Sequence, residues 1–304
     1  MEFTVSLDSP FSLEYTLDSG QLFRWERRGE WWSGAVSGGM LKIKQEGDLL
    51  RCSSSCERLD SEFVTRYFRL DVDLDHVLAT ISKDETISRA VERFYGLQIV
   101  GQDTWECLAS FVLATNANIP RIKKMVAAIC SRFGGAFEFE GEKRAAFPTA
   151  DDLAKANEKD LLACGLGYRA PFLKRVATSV AEGRVDFAAI ASLGYPESRR
   201  RLMTELLGQK LLLGVGPKVA DCVLLYSCGK DEAFPIDVWI ARVLATSYPV
   251  LLGPALTRRY MVEGKTKLSP SDYDRISARA RAHFGSFAGY AQQYLFMAAR
   301  EGSE

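Results

Sequence analysis

The sequence predicts an α+β fold, with an N-terminal antiparallel β-sheet packed on a mainly α-helical body. Two observations carry this. Up to about residue 60, short β-branched or aromatic-rich segments alternate with Asp, Ser and Gly turns, whereas beyond it apolar residues recur at spacings of three and four. With 304 residues, 47% of them hydrophobic, the chain can bury a substantial core.

The strands follow from β-branched or aromatic-rich composition and from the turn residues between them. Phe3-Thr-Val-Ser-Leu, Phe11-Ser-Leu-Glu-Tyr-Thr-Leu, Leu22-Phe-Arg-Trp, Trp31-Trp-Ser-Gly-Ala-Val and Met40-Leu-Lys-Ile-Lys each read as strands of one antiparallel sheet. The apolar spacing then predicts helices over 60–69, 73–81, 85–95, 103–115, 119–133, 151–156, 158–164, 168–182, 197–208, 217–228, 237–246, 254–263, 270–283 and 287–300. Asp103, Thr149 and Ser269-Pro270 supply start signals. Gly134-Gly135 through Gly141 reads as a surface loop, and no long-period repeat or low-complexity segment interrupts the pattern. The expected division is 1–100, a sheet domain with flanking helices, and 101–304, a helical region holding a hairpin within 199–228 and a C-terminal helix.

Charge alone points to no partner, because 39 basic and 39 acidic residues balance to zero. A nucleic-acid surface must come from local clusters, for which Arg121-Ile-Lys-Lys124, Arg199-Arg-Arg201, Arg258-Arg259 and the run from Arg275 to Arg281 are candidates. Seven scattered cysteines without a signal peptide imply an intracellular, reducing compartment: cytoplasm or nucleoid in a prokaryote, nucleus in a eukaryote. Cys52 and Cys56 lack a second pair or a nearby histidine, so no metal is expected. The C-terminus has no closely spaced four-cysteine loop for an iron–sulfur cluster, and no apolar run is long enough for a membrane helix. No cofactor is expected, and the chain is expected to be a monomer.

The densest chemistry lies in Leu211-Leu-Leu-Gly-Val-Gly-Pro-Lys-Val-Ala-Asp221 and Phe234-Pro-Ile-Asp-Val-Trp239. Gly214 and Gly216 allow the hairpin amides to face an anion, Val215 anchors the turn, and the helix that follows adds its positive end. Pro217 suits the first helical turn. An ordinary lysine, with a pKa of about 10.4, is neutral at pH 7 in roughly one molecule in a few thousand, so a nucleophilic amine needs a helix N-terminus, desolvation or both. Lys218 has the first by position. Asp237 opens the next helix, where it can cap the backbone or face a cleft. By themselves these residues also fit a DNA-binding hairpin with no catalytic role.

Further motifs narrow the reading. Ser19-Gly-Gln-Leu-Phe-Arg-Trp25, Trp32-Ser-Gly34, Thr115-Asn-Ala-Asn-Ile-Pro-Arg121, Gly165-Leu-Gly-Tyr-Arg169 and Gly289-Tyr-Ala-Gln-Gln-Tyr-Leu-Phe296 stand in this order around the hairpin. Together they resemble the helix-hairpin-helix glycosylase superfamily, and the whole chain is similar to the 8-oxoguanine DNA glycosylases of animals and yeast. The resemblance implies that the body is a helix-hairpin-helix glycosylase body and that the substrate is double-stranded DNA containing 8-oxoguanine opposite cytosine. It further implies base removal through a lysine Schiff base with associated β-elimination.

The site residues follow from the same resemblance. Lys218 is the implied nucleophile, and an ionised Asp237 would stabilise the oxocarbenium-like sugar. Because a base inside the duplex is out of reach, the nucleotide must be flipped out. Asn116 is then implied to fill the gap, Tyr168 to wedge beside it, and Arg121 and Arg169 to hydrogen-bond the orphaned cytosine. Phe296 and Cys222 would sandwich the purine, Gln292 would pair with its Watson–Crick edge, and the hairpin backbone of Gly214, Val215 and Gly216 would grip phosphate. The Gly20 carbonyl would accept from N7–H, a donor that 8-oxoguanine has and guanine lacks.

Three positions depart from the family pattern. Leu213 stands where many relatives have proline, Trp239 where the animal enzymes have a phosphate-contacting histidine, and Ala299 where that histidine has an acidic partner. Aromatic packing by Trp239 is the expected substitute. The alternatives are a non-catalytic helix-hairpin-helix DNA-binding protein, or a glycosylase for another oxidised base.

Overall fold

The computed structural model describes residues 1–207, 216–263 and 268–302. Five antiparallel strands, β1 (Glu2–Ser6), β2 (Trp25–Arg28), β3 (Trp31–Val36), β4 (Gly39–Glu46) and β5 (Leu49–Ser54), form a sheet of order β1-β5-β4-β3-β2. Trp25 pairs with Gly34 across β2 and β3. A Cβ on Gly34 would fall 2.4 Å from the Trp25 indole, so the glycine is what lets the ring lie flat on the sheet. The indole N–H donates to the Tyr67 hydroxyl at 3.0 Å, which satisfies a polar atom inside this core.

The segment Phe11–Leu17, expected to be a strand, is not one. Leu13–Leu17 is a short helix whose N-cap Ser12 accepts from the Tyr15 N–H, burying Leu13, Thr16 and Leu17. Apolar residues at 11, 13, 15 and 17 fit period two, but buried positions three and four apart with a serine cap fit one helical turn equally well. The stretch after Gly134, expected to be a surface loop, is also ordered into strands. It forms a small hairpin, β6 (Ala136–Phe139) with β7 (Glu142–Ala145), fastened to the main sheet by Lys42 between Glu140 and Glu142 at 2.9 and 3.0 Å.

From Ser61 onward, apart from the β6–β7 hairpin, the described chain is a helical array. Its core includes Leu108, Val112, Ile122, Val126, Leu173, Val223, Leu224, Ile240 and Leu244. A separate apolar cluster of Trp25, Leu41, Ile43, Leu50, Val64, Phe68 and Val100 lies under the sheet. No described helix is long and apolar enough to cross a membrane.

The C-terminal helix, Ala288–Glu301, joins the two parts. Tyr290 donates to Gln98 Oε1, Tyr294 to the Leu97 carbonyl, and Arg300 to the Asp18 carbonyl. Arg69 closes the same seam with a bidentate pair to Asp231 at 2.7 and 2.8 Å. Gly289 lets the helix pass closely, since a Cβ there would stand 2.3 Å from Leu225 Cδ1 and 2.8 Å from the Ala233 carbonyl.

Candidate active site

Lys218 occupies the first turn of the helix Pro217–Ser227, half-buried, with its Nζ 4.8 Å from the centre of the Phe111 ring. Gly216 caps that helix at φ −103, an extended angle open to any residue, so the glycine is not required there by backbone strain. Among the described residues nothing lies within 4 Å of where its Cβ would be. Its use is the bare, approachable backbone it leaves beside the helix N-terminus. Gly214, Val215 and Leu213 lie outside the described residues.

Asp237 caps the next helix, Val238–Ser247, by accepting from the Ile240 N–H at 2.9 Å. Burial pushes its carboxyl above the ordinary aspartate value, while the Lys218 charge and the backbone N–H groups of Ile240 and Trp239 pull it down. The capping role and an attractive influence from Lys218 therefore coexist. Burial also pushes the Cys222 thiol up to about 12, with Lys218 as its main opposing influence. Lys218 thus sits where its charge is felt by both side chains.

The base-pocket candidates converge on the same region. A Cβ on Gly20, at φ +81, would come 3.0 Å from Ile119 Cδ1 and 3.3 Å from Phe296 Cε1. Gly20 and Phe296 therefore face one another, and a side chain at Gly20 would meet both backbone strain and the ring. Gln292 and Cys222 are buried at 3% and 2% exposure, and Gln292 Oε1 lies 3.5 Å from the Tyr226 hydroxyl. Trp239 packs under Arg242, whose guanidinium carbon is 5.1 Å from its ring centre.

A second constellation is built around Thr115 and Asn116. Asn116 adopts φ +50, a left-handed angle that asparagine tolerates better than most residues, and its Nδ2 donates to the Tyr168 hydroxyl at 3.2 Å. Tyr168 donates to the Thr115 carbonyl at 3.1 Å and remains half exposed, at 51%. The Arg169 guanidinium lies 4.5 Å over the Tyr168 ring; its Nε and Nη2 donate to the Thr115 carbonyl, and Nη2 also reaches the Asn116 carbonyl at 2.9 Å. Arg169 is only 1% exposed, and its buried Nη1 has no hydrogen-bond partner among the described residues. Arg121 is exposed on the first turn of the neighbouring helix Ile119–Phe133. Asn116, Tyr168 and Arg169 are thus hydrogen-bonded into one unit.

Several residues of the site had no place in the motif reading. Asp221, fully buried, accepts from Tyr195 at 2.8 Å, Arg199 at 2.8 Å and Tyr273 at 2.7 Å. The Ile236 N–H donates in turn to the Tyr273 hydroxyl at 3.1 Å, which links the helix of Lys218 to the loop leading into Asp237. A lone acid in the apolar run Val219-Ala-Asp-Cys-Val-Leu-Leu225 was the available signal, because such a group must be partnered. Arg199 is accordingly not part of an open basic patch. It is held internally by Asp221 and Asp274, while Arg275 pairs with Asp272 and Arg281 lies over Tyr195.

A lysine at a helix N-terminus beside a capping aspartate, in a helical body joined to an N-terminal sheet, defines the class of DNA glycosylases that act in base-excision repair. Family models agree with this class. The 8-oxoguanine DNA glycosylase N-terminal domain matches residues 4–108, and the HhH-GPD superfamily base excision DNA repair protein matches residues 109–251. A probable N-glycosylase/DNA lyase of Methanothermobacter thermautotrophicus is 30% identical over 95% of this chain and 94% of its own length. The N-glycosylase/DNA lyase of Saccharomyces cerevisiae is 29% identical over 95% of this chain and 83% of its own. Among solved structures, the Clostridium acetobutylicum 8-oxoguanine glycosylase/lyase in complex with double-stranded DNA containing cytosine opposite 8-oxoguanine superposes with a TM-score of 0.82 at 29% identity, covering 99% of both chains. The chain belongs to the 8-oxoguanine DNA glycosylase family of the HhH-GPD superfamily. It is a DNA glycosylase and lyase of base-excision repair whose partner is double-stranded DNA.

Proposed function

We propose that this protein removes 8-oxoguanine from opposite cytosine through attack of Lys218 on the deoxyribose, and then nicks the strand by β-elimination. The observation that carries this reading is the placement of Lys218 in the first turn of its helix, with Nζ over the Phe111 ring and Asp237 capping the helix that follows. The neutral amine forms a bond to C1′ as the bond from C1′ to N9 breaks, and the departing purine carries the electron pair away and is then protonated. Asp237 stabilises the positive sugar as that bond stretches. Opening of the sugar ring gives a Schiff base, from which loss of a C2′ proton expels the 3′ phosphate.

The remaining assignments are part of the same proposal. Gly20 reads N7–H, Phe296 and Cys222 hold the purine faces, and Gln292 takes the Watson–Crick edge. The hairpin of Gly214, Val215 and Gly216 grips phosphate. Asn116 and Tyr168 enter the gap, while Arg121 and Arg169 bond the cytosine. The unpartnered Nη1 of Arg169 favours this reading, because a buried N–H without an acceptor is costly and an orphaned cytosine offers O2 and N3. We place the working division at 1–100 and 101–304, and the protein in the reducing compartment that holds DNA, consistent with its free cysteines.

Single-turnover base release from a panel of duplexes tests the reading. The expected order is 8-oxoguanine opposite cytosine first, with slower release opposite other bases and little from duplexes with an oxidised pyrimidine or 3-methyladenine. Faster release of a pyrimidine lesion would overturn the purine assignment.

A further inference from the structure

The Ser19-Gly20-Gln21 loop is held from both sides by buried glutamine amides. Gln293 Nε2 donates to the Ser19 carbonyl at 2.9 Å, and Gln102 Nε2 donates to the Gln21 carbonyl at 3.0 Å. The Gln21 side chain is fixed as well, donating to the Gln98 carbonyl at 2.8 Å and accepting from the Val100 N–H at 3.0 Å. Among the described residues, none donates to the Gly20 carbonyl between them. Its two neighbouring carbonyls are pinned and it remains available.

Both clamps lead to Tyr226. The Tyr226 hydroxyl donates to Gln293 Oε1 at 2.6 Å, which turns the other end of that amide, the NH2, toward Ser19. The Gln102 backbone N–H donates to the Tyr226 carbonyl at 2.9 Å. Tyr226 lies two turns along the helix that begins at Pro217 and carries Lys218, and its ring stacks on Phe111 at 5.4 Å, the ring beneath Lys218 Nζ. A hydroxyl has one proton to donate, and its contact with Gln292 is longer, at 3.5 Å. Gln293 therefore takes the tyrosine, leaving the Gln292 amide free for a base.

We propose that Gln293, oriented by Tyr226, is a positioning residue that ties the Gly20 carbonyl to the helix of Lys218 and thereby sets discrimination between oxidised and normal guanine. This rests on the reading of Gly20 as the N7–H acceptor. Registration matters because one hydrogen bond separates the two bases, and its strength falls steeply once donor and acceptor are misaligned. Without the Gln293 amide, the buried Ser19 carbonyl loses its donor and the Ser19–Gly20 peptide its restraint.

The test compares wild type, Gln293→Leu and Tyr226→Phe in two single-turnover reactions: release of 8-oxoguanine opposite cytosine, and cleavage at a preformed abasic site opposite cytosine, which needs no base recognition. Release of guanine from a normal duplex is measured alongside. Gln293→Leu is expected to lower the ratio of 8-oxoguanine release to abasic cleavage about tenfold, and to narrow the preference over guanine. Tyr226→Phe, which removes only a hydroxyl, is expected to change the ratio about threefold in the same sense and decides the matter if the leucine variant does not fold. Parallel loss of both reactions, or an unchanged ratio, overturns the role of Gln293. A wild type that releases guanine as fast as 8-oxoguanine overturns the Gly20 reading beneath it.

Discussion

The wall of the site that carries Lys218 and Asp237 is held by buried polar groups whose bonds run inward. The wall that carries Asn116, Tyr168 and Arg169 is held by hydrogen bonds among those residues and the Thr115 carbonyl, near the surface and with donor capacity left over. Asp221 collects Tyr195, Arg199 and Tyr273 beneath the first wall, and Tyr226 ties it to the Gly20 loop through Gln293. On the second wall, Tyr168 is half exposed, Asn116 holds a left-handed angle, and the Arg169 Nη1 has no acceptor among the described residues. The difference teaches a division of labour. Bond breaking needs groups fixed in advance, whereas invading a base stack requires groups that exchange protein partners for DNA.

The largest effect should come from the first wall. Lys218→Gln is expected to reduce base release by a factor on the order of 10³ or more while duplex binding and melting temperature hold, read by single-turnover kinetics and calorimetry. Asp237→Asn keeps an oxygen for the helix cap and should cost release about 10²-fold with little loss of stability.

That variant also sharpens the pH dependence. Burial raises the Asp237 carboxyl, so the protonated, uncharged form appears at a higher pH than for an exposed aspartate, near 3.9. Release should lose a further step as pH falls through the shifted value, and the asparagine variant should lack that step.

Asp221→Asn tests the inward network. It leaves Arg199 without its buried partner and should destabilise the fold by about 3 kcal/mol in urea unfolding. Binding to the strand opposite the lesion should be unaffected in the fraction that remains folded.

Arg169→Ala tests the second wall and should show the smallest effect on chemistry. The preference for cytosine over other opposite bases should shrink about tenfold, with abasic-site cleavage falling less. A loss confined to the cleavage step would erase the contrast between the walls.

How much of this was legible in the sequence depends on how local each feature is. Helical spacing over 119–133 matched Ile119–Phe133, because Asn118 caps the start and a regular apolar stripe follows. The strand Leu49–Ser54 and the helix Phe187–Ser192 are too short for a comparable signal, and the Phe137-Glu-Phe139 alternation in the hairpin 136–145 is confined to one four-residue strand. They are fixed by tertiary pairing, as with Leu49–Ser54 between β1 and β4. In the site, Lys218, Asp237 and Gly20 stood out because each lies in a compact motif. Gln293 sat inside a quoted motif without a role, since its partners at Ser19 and Tyr226 are distant in sequence and only the folded chain brings them together. Arg199 reads as part of a basic run for the same reason, its acid partner being on another helix.

Borohydride trapping on a duplex with 8-oxoguanine opposite cytosine tests the central claim most directly. Wild type should yield a covalent protein–DNA complex that forms at the rate of base release, and Lys218→Gln should yield none. Undiminished base release by wild type with no trapped complex would contradict a lysine Schiff base.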